Sequence, residues 1–284
     1  MHPKILRKSF PALLGLLLLA TAAQADTTLK ETFQKTYALK SGGQVSLDNV
    51  NGGVKIEAWD KNEVQVVAEK RVKAGKADVA KQYMSQIKID VTQAAGGLKI
   101  VTKLPKRNNG LFDWMFGKSV SAQVEYKLRV PRSVVLEVEN VNGGINVVGT
   151  RGRASLATVN GGIDVLRAQG KLTLRTINGG LGVTDSAGTV DAETTNGGID
   201  VALNDVPDGA DLSFETTNGG VTVRLPRDIR VSLDAATSNG RVDSDFEVEG
   251  NGQPSRRRLA GDINGGGGKL VVRSTNGSVE IAQQ

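Results

Sequence analysis

Two residue types that carry much of hydrolytic and metal chemistry are almost missing from this chain. Among its 284 residues there is no cysteine, and the one histidine is His2. Beyond residue 2 that removes cysteine nucleophiles, Ser-His-Asp triads, histidine acid–base catalysis and the usual zinc donor sets. Carboxylates, Lys, Tyr, Ser and Thr remain. One carboxylate pair has a spacing of chemical interest. Asp164 and Asp200 each fall four residues after the Asn of an Asn-Gly-Gly, with Gly182 at the equivalent place between them. Two strand spacings would separate them by roughly 9–10 Å, near the ~6.5–9.5 Å of inverting glycosidases. No bulky aromatic lies nearby in sequence, and no neighbour would obviously raise one pKa. The residues therefore give no catalytic assignment, no metal ligand and no cofactor. A polysaccharide-active β-helix enzyme using Asp164 and Asp200 is kept as the alternative.

The element that must place these carboxylates is a repeat. Asn-Gly-Gly begins at Asn142, Asn160, Asn178 and Asn196, each 18 residues after the last, then at Asn218. Related turns follow at Asn239-Gly240-Arg241 and Asn276-Gly277-Ser278, and an early copy lies at Asn51. Apolar residues alternate on both sides of each Asn, as in Leu172/Leu174 before Asn178 and Leu181/Val183 after it. Period-2 alternation predicts two half-buried β-strands per repeat. A fixed short period predicts stacked coils sharing a thin core. The fold class expected is all-β: a single-stranded parallel β-solenoid with two-strand coils of about 18 residues, and a short helix and loop insertions in its N-terminal coils. Stacking turns Asn142, Asn160, Asn178, Asn196, Asn218, Asn239 and Asn276 into a structural ladder of side-chain hydrogen bonds. Asn and Gly suit the turn because both tolerate positive φ. A second column, Thr158, Thr176, Thr194, Thr216 and Thr237, falls on the inward phase. Its hydroxyls need partners in the turn or in the next Thr. A left-handed helix of hexapeptides and a calcium roll fit less well: the aliphatics fall in two clusters per coil, and the nine-residue calcium motif is missing.

The expected organisation is a signal peptide at 1–25, a lead-in at 26–42 and a solenoid at 43–284. Within the solenoid, coils 43–133 carry insertions at 70–86 and 105–119. Regular coils fill 134–244, an insertion 245–269, and the last coil 270–284. Lys76 to Gln86 reads as a short helix. The 105–119 insertion concentrates Leu111, Phe112, Trp114, Met115 and Phe116 between Lys103, Lys106, Arg107 and Lys118. Two readings of it stay open: a lid folded on the core, or a loop contacting a partner or membrane surface. Arg256-Arg257-Arg258 reads as part of a solvated loop.

The N-terminus supplies the location. Lys4, Arg7 and Lys8 precede the apolar run Leu13 to Ala20, and Ala23-Gln24-Ala25 is a small-x-small cleavage pattern. The run is far shorter than the roughly 20 residues that span a bilayer. Cleavage after Ala25 would remove three basic and no acidic residues, lowering the formal charge from +6 to +3. That balance gives no reason to expect nucleic acid.

Together, Val50-Asn51-Gly52-Gly53-Val54-Lys55-Ile56, Leu128-Arg129-Val130-Pro131, the Asn-Gly-Gly coils and the closing Asn276-Gly277-Ser278-Val279-Glu280-Ile281 resemble the bacterial "putative adhesin" family of β-strand-repeat proteins, a domain of unknown function. The resemblance runs from about Leu29 to the C-terminus. It implies a β-solenoid with no established catalytic residue. With no anchor or sorting signal visible, the expectation is a periplasmic protein, with secretion or surface association as variants. The expected role is that of a non-catalytic envelope scaffold or adhesin-like binding protein. Its partner would be an envelope protein or glycan, with membrane-surface contact through the aromatic loop. An accessory sensor in envelope stress is the other alternative.

Overall fold

The computed structural model describes residues 26–94, 96–105, 120–250 and 255–284. In chain order its elements are β1 (Thr27–Ala38), β2 (Gln44–Asp48), β3 (Val54–Trp59), β4 (Glu63–Ala74), helix α1 (Ala77–Gln86), β5 (Lys88–Ala94), β6 (Gly97–Lys103), β7 (Ser121–Pro131), β8 (Val135–Glu139), β9 (Ile145–Val148), β10 (Arg151–Asn160), β11 (Ile163–Leu166), β12 (Gln169–Asn178), β13 (Leu181–Asn196), β14 (Ile199–Asp205), β15 (Leu212–Asn218), β16 (Val221–Leu225), β17 (Val231–Asn239), β18 (Val242–Ser244), β19 (Arg258–Ile263), β20 (Gly268–Asn276) and β21 (Val279–Gln283). The described chain is all-β apart from α1, and every strand belongs to one continuous sheet.

The sheet has two runs that meet in the long strand β13. One, built from strands preceding each Asn, has the order β5-β6-β2-β8-β10-β12-β13-β15-β20-β17-β19. The other, built from strands following it, runs β1-β4-β7-β3-β9-β11-β13-β14-β16-β21-β18. The central pairs are parallel and in register, with Asn160 opposite Asn178 and Asn178 opposite Asn196. The alternation explains why. Leu136, Val138, Leu156, Leu172, Leu174, Val190, Leu212, Phe214, Ile145, Ile163, Leu181, Val183, Ile199, Val201, Val221 and Val223 are all at most 2% exposed. A slip by one residue would turn a whole strand's apolar set to water, at about 1.5–3 kcal/mol per side chain.

Several sequence expectations are corrected here. The pairing is not parallel throughout: β1–β4, β4–β7, β5–β6 and β17–β19 are antiparallel. Residues 26–42 are no lead-in, because β1 is a 12-residue strand of the sheet. The insertion placed at 70–86 shrinks, since β4 continues to Ala74 before α1 begins. The stretch 245–269 contains β19, which returns along β17, and the start of β20. Most consequentially, the last coil is not the end of the stack. β20 lies between β15 and β17, and β21 between β16 and β18. The first coil behaves alike: β2 and β3 sit one rung inside β6 and β7. At the C-terminal end the chain skips a rung and comes back to fill it; at the N-terminal end it lays the inner rung first, builds the outer one, and then passes over the filled rung to β8 and β9.

Helix α1 buries Ala80, Tyr83 and Met84, one face at i, i+3 and i+4 spacing. Among the described residues no helix is long and apolar enough to cross a membrane. In the N-terminal core the Tyr126 hydroxyl meets the Thr102 hydroxyl at 2.7 Å. Burial pushes that phenol up to about 12, while the Thr102 hydrogen bond pulls the other way.

Candidate binding surface

The Asn column forms a continuous chain of amide hydrogen bonds along one edge of the stack. Asn142 Nδ2 donates to Asn51 Oδ1 at 2.7 Å. Asn160 donates to Asn142, Asn178 to Asn160 and Asn218 to Asn196, each at 2.8 Å, and Asn196 to Asn178 at 2.9 Å. Because β20 fills the inner rung, Asn276 donates to Asn218 and Asn239 donates to Asn276, both at 2.8 Å. Asn239, not Asn276, ends the ladder. Asn51 ends the other side, where its Nδ2 reaches the Ala122 carbonyl.

The inward column is a second series of bonds. Thr158, Thr176, Thr194 and Thr216 donate to the carbonyls of Gly143, Gly161, Gly179 and Gly197 in the preceding coil, at 2.8–3.0 Å. Ser274 and Thr237 do the same to Gly219 and Gly277. Asn49 and Asn140 hold the equivalent places in the first coils, where their amides reach the Gly52 carbonyl. The Thr spacing alone misses these two, although counting two residues back from Asn51 and Asn142 finds them. Each buried hydroxyl thus fixes the turn of the neighbouring rung before it.

The glycines need a different reason from the one the sequence suggests. In the first Gly of each motif, only Gly52 and Gly143 take positive φ. A Cβ on Gly161, Gly179, Gly197 or Gly219 would lie 1.9–2.3 Å from the backbone oxygen of the glycine one rung away. Close stacking, not turn conformation, selects glycine there. The second turn uses both effects: Gly170 has φ 122° and a Cβ would sit 2.2 Å from the Gly152 oxygen.

These two internal ladders hold the outward residues in flat rows. Arg175 on β12 binds Asp191 of the next strand through two guanidinium nitrogens, at 2.7 and 3.0 Å, and reaches Glu193 at 3.1 Å. The Asp191 hydrogen bond leads the effects that raise the Arg175 pKa above its ordinary value. Farther along, Arg273 binds Asp234 across the β20–β17 pair. A groove of about 560 Å³ crosses this face between Lys171, Thr189, Asp191, Asp211 and Lys269. A second, of about 310 Å³, is walled by the exposed hydroxyls of Thr195, Thr217, Thr275 and Ser238 beside Glu193 and Glu215. A third lies at the N-terminal end and is lined by Val50, Asn51, Leu104, Pro105 and Val120. Leu111, Phe112, Trp114, Met115 and Phe116 lie outside the described residues, as does the 1–25 segment.

Asp164 and Asp200 fall in one row, separated by Gly182. Asp200 is paired with Arg224 at 2.6 Å. Asp164 leans over Gly182, close enough that a Cβ there would lie 2.7 Å from its Oδ1. Among the described residues no group of three or more His, Cys, Asp or Glu side chains is placed to hold a metal.

The Toastrack DUF4097 sequence family matches residues 21–282, nearly the whole chain. The chain belongs to that family. Solved structures similar to this Toastrack chain include a "putative adhesin" from Parabacteroides merdae, at 10% identity over 89% of this chain and 96% of the other, TM-score 0.41. A "putative cell adhesion protein" from Clostridium sporogenes is similar at 13% identity over 89% and 100%, TM-score 0.38. A "putative lipid binding protein" from Parabacteroides distasonis is similar at 10% identity over 89% and 96%, TM-score 0.31. No curated protein matches the chain. The Toastrack assignment agrees with the resemblance read from the Asn-Gly-Gly coils and their flanking strands.

Proposed function

We propose that this Toastrack chain is an exported, non-catalytic binding protein of the bacterial envelope, a scaffold or adhesin-like module whose central coils form a stacked solenoid of about 18 residues per turn. One observation carries the reading. The outward charges of the broad face are immobilised by their neighbours across strands, as in Arg175 with Asp191 and Glu193 and Arg273 with Asp234. Polar groups held at regular strand spacing, with little rotamer freedom left to lose, suit recognition of an extended polar partner. The partner class that fits is an envelope glycan or protein. The basic-apolar-small pattern of residues 1–25 supports export, and a periplasmic home is the simplest version of it.

Co-sedimentation of the purified protein with washed envelope fragments tests the proposal. Wild type should be retained, and Arg175→Ser/Glu215→Ser/Arg273→Ser should be retained several-fold less while melting as a cooperative fold. Turnover of an envelope glycan that disappears in Asp164→Asn or Asp200→Asn would overturn it.

A further inference from the structure

The two ends of the sheet are finished differently. At the C-terminal end the outermost strands are short and covered. β18 has three residues, and the Val242 amide donates to the Arg256 carbonyl. β19 covers β17, and the Thr237 amide donates to the Arg257 carbonyl. The basic run 256–258 therefore serves through its backbone. At the opposite end, β1 is a 12-residue strand that pairs with β4 along one edge only. Among the described residues no strand pairs with its other edge. Apart from the Ala38 carbonyl, which accepts from Gln93 Nε2 at 2.7 Å, that edge offers a long row of amides and carbonyls as a template for another strand. Of the other two edge strands, β5 has seven residues and β19 six.

The side chains of β1 state which strand fits. Leu29, Glu31, Phe33, Lys35 and Tyr37 share one face, with the apolar three half-buried and the two charges exposed. Glu31 and Lys35 lie symmetrically about Phe33. Antiparallel pairing of two copies about a dyad perpendicular to the sheet places residue i opposite residue j of the same face, and j opposite i. With the dyad at Phe33, Glu31 of each copy faces Lys35 of the other, Leu29 faces Tyr37, and Phe33 faces Phe33. The opposite face then pairs Lys30 with Thr36, Thr32 with Gln34 and Thr28 with Ala38. No like charges meet. Centring instead on Lys30, Glu31 or Lys35 sets a charge against itself. Centring on Thr32 or Gln34 sets Lys35 or Glu31 against an apolar ring or chain. A lone inward-facing lysine would protect the edge from pairing. The opposite charges here cancel in one register only. Lys35 has no carboxylate partner among the described residues and lies over the Tyr37 ring, whereas Glu31 already binds Lys70 at 2.7 Å. The Glu31 carboxylate would then be flanked by an ammonium on each side.

We propose that β1 pairs with β1 of a second copy, centred on Phe33, so that two molecules share one continuous sheet.

The test uses the full chain, expressed with its own N-terminal segment and purified. Sedimentation velocity should show a concentration-dependent monomer–dimer equilibrium. Lys35→Glu sets Glu against Glu31 twice and should weaken dimerisation at least tenfold. Adding Glu31→Lys should restore it, with melting temperatures showing that all variants fold. Because the chain has no cysteine, Phe33→Cys gives a single thiol on the dyad. The facing Cα atoms would be about 4.5–5.5 Å apart, within disulfide range. Mild oxidation should link it to a dimer, whereas Thr28→Cys, about 34 Å from its own copy, should stay monomeric. A wild type that is monomeric at all concentrations would overturn the proposal. So would a dimer indifferent to the charge reversal, or equal cross-linking at positions 33 and 28.

Discussion

Adjacent glycines of one motif should respond to the same substitution in opposite ways. In Asn178-Gly179-Gly180, a Cβ on Gly179 would sit 2.0 Å from the Gly161 oxygen, whereas a Cβ on Gly180 meets the Gly198 oxygen at 3.5 Å, an ordinary contact. Neither glycine needs a positive φ, so the two variants differ in stacking alone. Accommodating a methyl group on Gly179 requires the rungs to part locally by more than about 1 Å to reach ordinary van der Waals contact. Four hydrogen bonds cross that gap: Gly161 N–H to Asn178 O, Ile163 N–H to Gly180 O, Thr176 to Gly161 O, and the Asn178–Asn160 amide pair. At about 0.5–1.5 kcal/mol each, Gly179→Ala should cost roughly 2–6 kcal/mol. Gly180→Ala should be near neutral, or stabilising by up to about 1 kcal/mol through a less flexible unfolded chain. Urea unfolding followed by circular dichroism reads both. Variants that unfold within about 1 kcal/mol of each other would show that stacking does not select the first glycine.

Four further outcomes are expected. Asn178→Leu and Asn276→Leu each break two ladder bonds and should each lose about 1–3 kcal/mol, while Asn239→Leu breaks one and should lose about half as much; an Asn276→Leu variant as mild as Asn239→Leu would contradict the inserted rung. Thr194→Val keeps its shape but leaves the buried Gly179 carbonyl without that donor, and should cost about 1–2 kcal/mol in the same assay. Tyr126 is held protonated in the fold up to about 12 but titrates near 10 when unfolded. Its contribution is therefore complete below pH 10 and is lost as pH rises to 12, by about 2.7 kcal/mol; Tyr126→Phe should flatten that alkaline limb of a pH–stability curve. If the 105–119 loop docks on a membrane surface, changing Phe112, Trp114 and Phe116 together to Ser should abolish liposome co-sedimentation with little change in melting temperature, and if it is a lid the same change should remove burial worth roughly 1.5–3 kcal/mol per side chain and lower the melting temperature sharply; a destabilised variant whose folded fraction binds normally would refute docking.

The 18-residue step from Asn142 to Asn196 made the central rungs legible, because a period-2 pattern at fixed intervals allows only in-register stacking. The rung order at the ends was not legible. Leu270, Val272 and Asn276 carry the same pattern as Leu233, Ala235 and Asn239, so either coil fits either slot, and only the return of β19 along β17 assigns them. β1 was hidden for another reason. Its apolar residues Leu29, Phe33 and Tyr37 recur every four positions, because Glu31 and Lys35 interrupt the strand's apolar face. Pairing with β4 makes it a strand. On the candidate surface, Arg175, Asp191 and Glu193 could be placed on one face from the alignment, with Arg175 opposite Glu193 and Asp191 two residues away. Their cross-strand pairing depends on side-chain direction, which spacing alone does not supply.

In the proposed function, rows fixed by the internal ladders bind envelope material on the broad face. Hydrogen–deuterium exchange with and without washed envelope fragments tests this most directly. Protection should appear in peptides covering 171–175, 189–195, 211–217 and 269–275, and should be lost in Arg175→Ser/Glu215→Ser/Arg273→Ser. Protection concentrated on the Asp164 and Asp200 row, with the broad face unchanged, would contradict it.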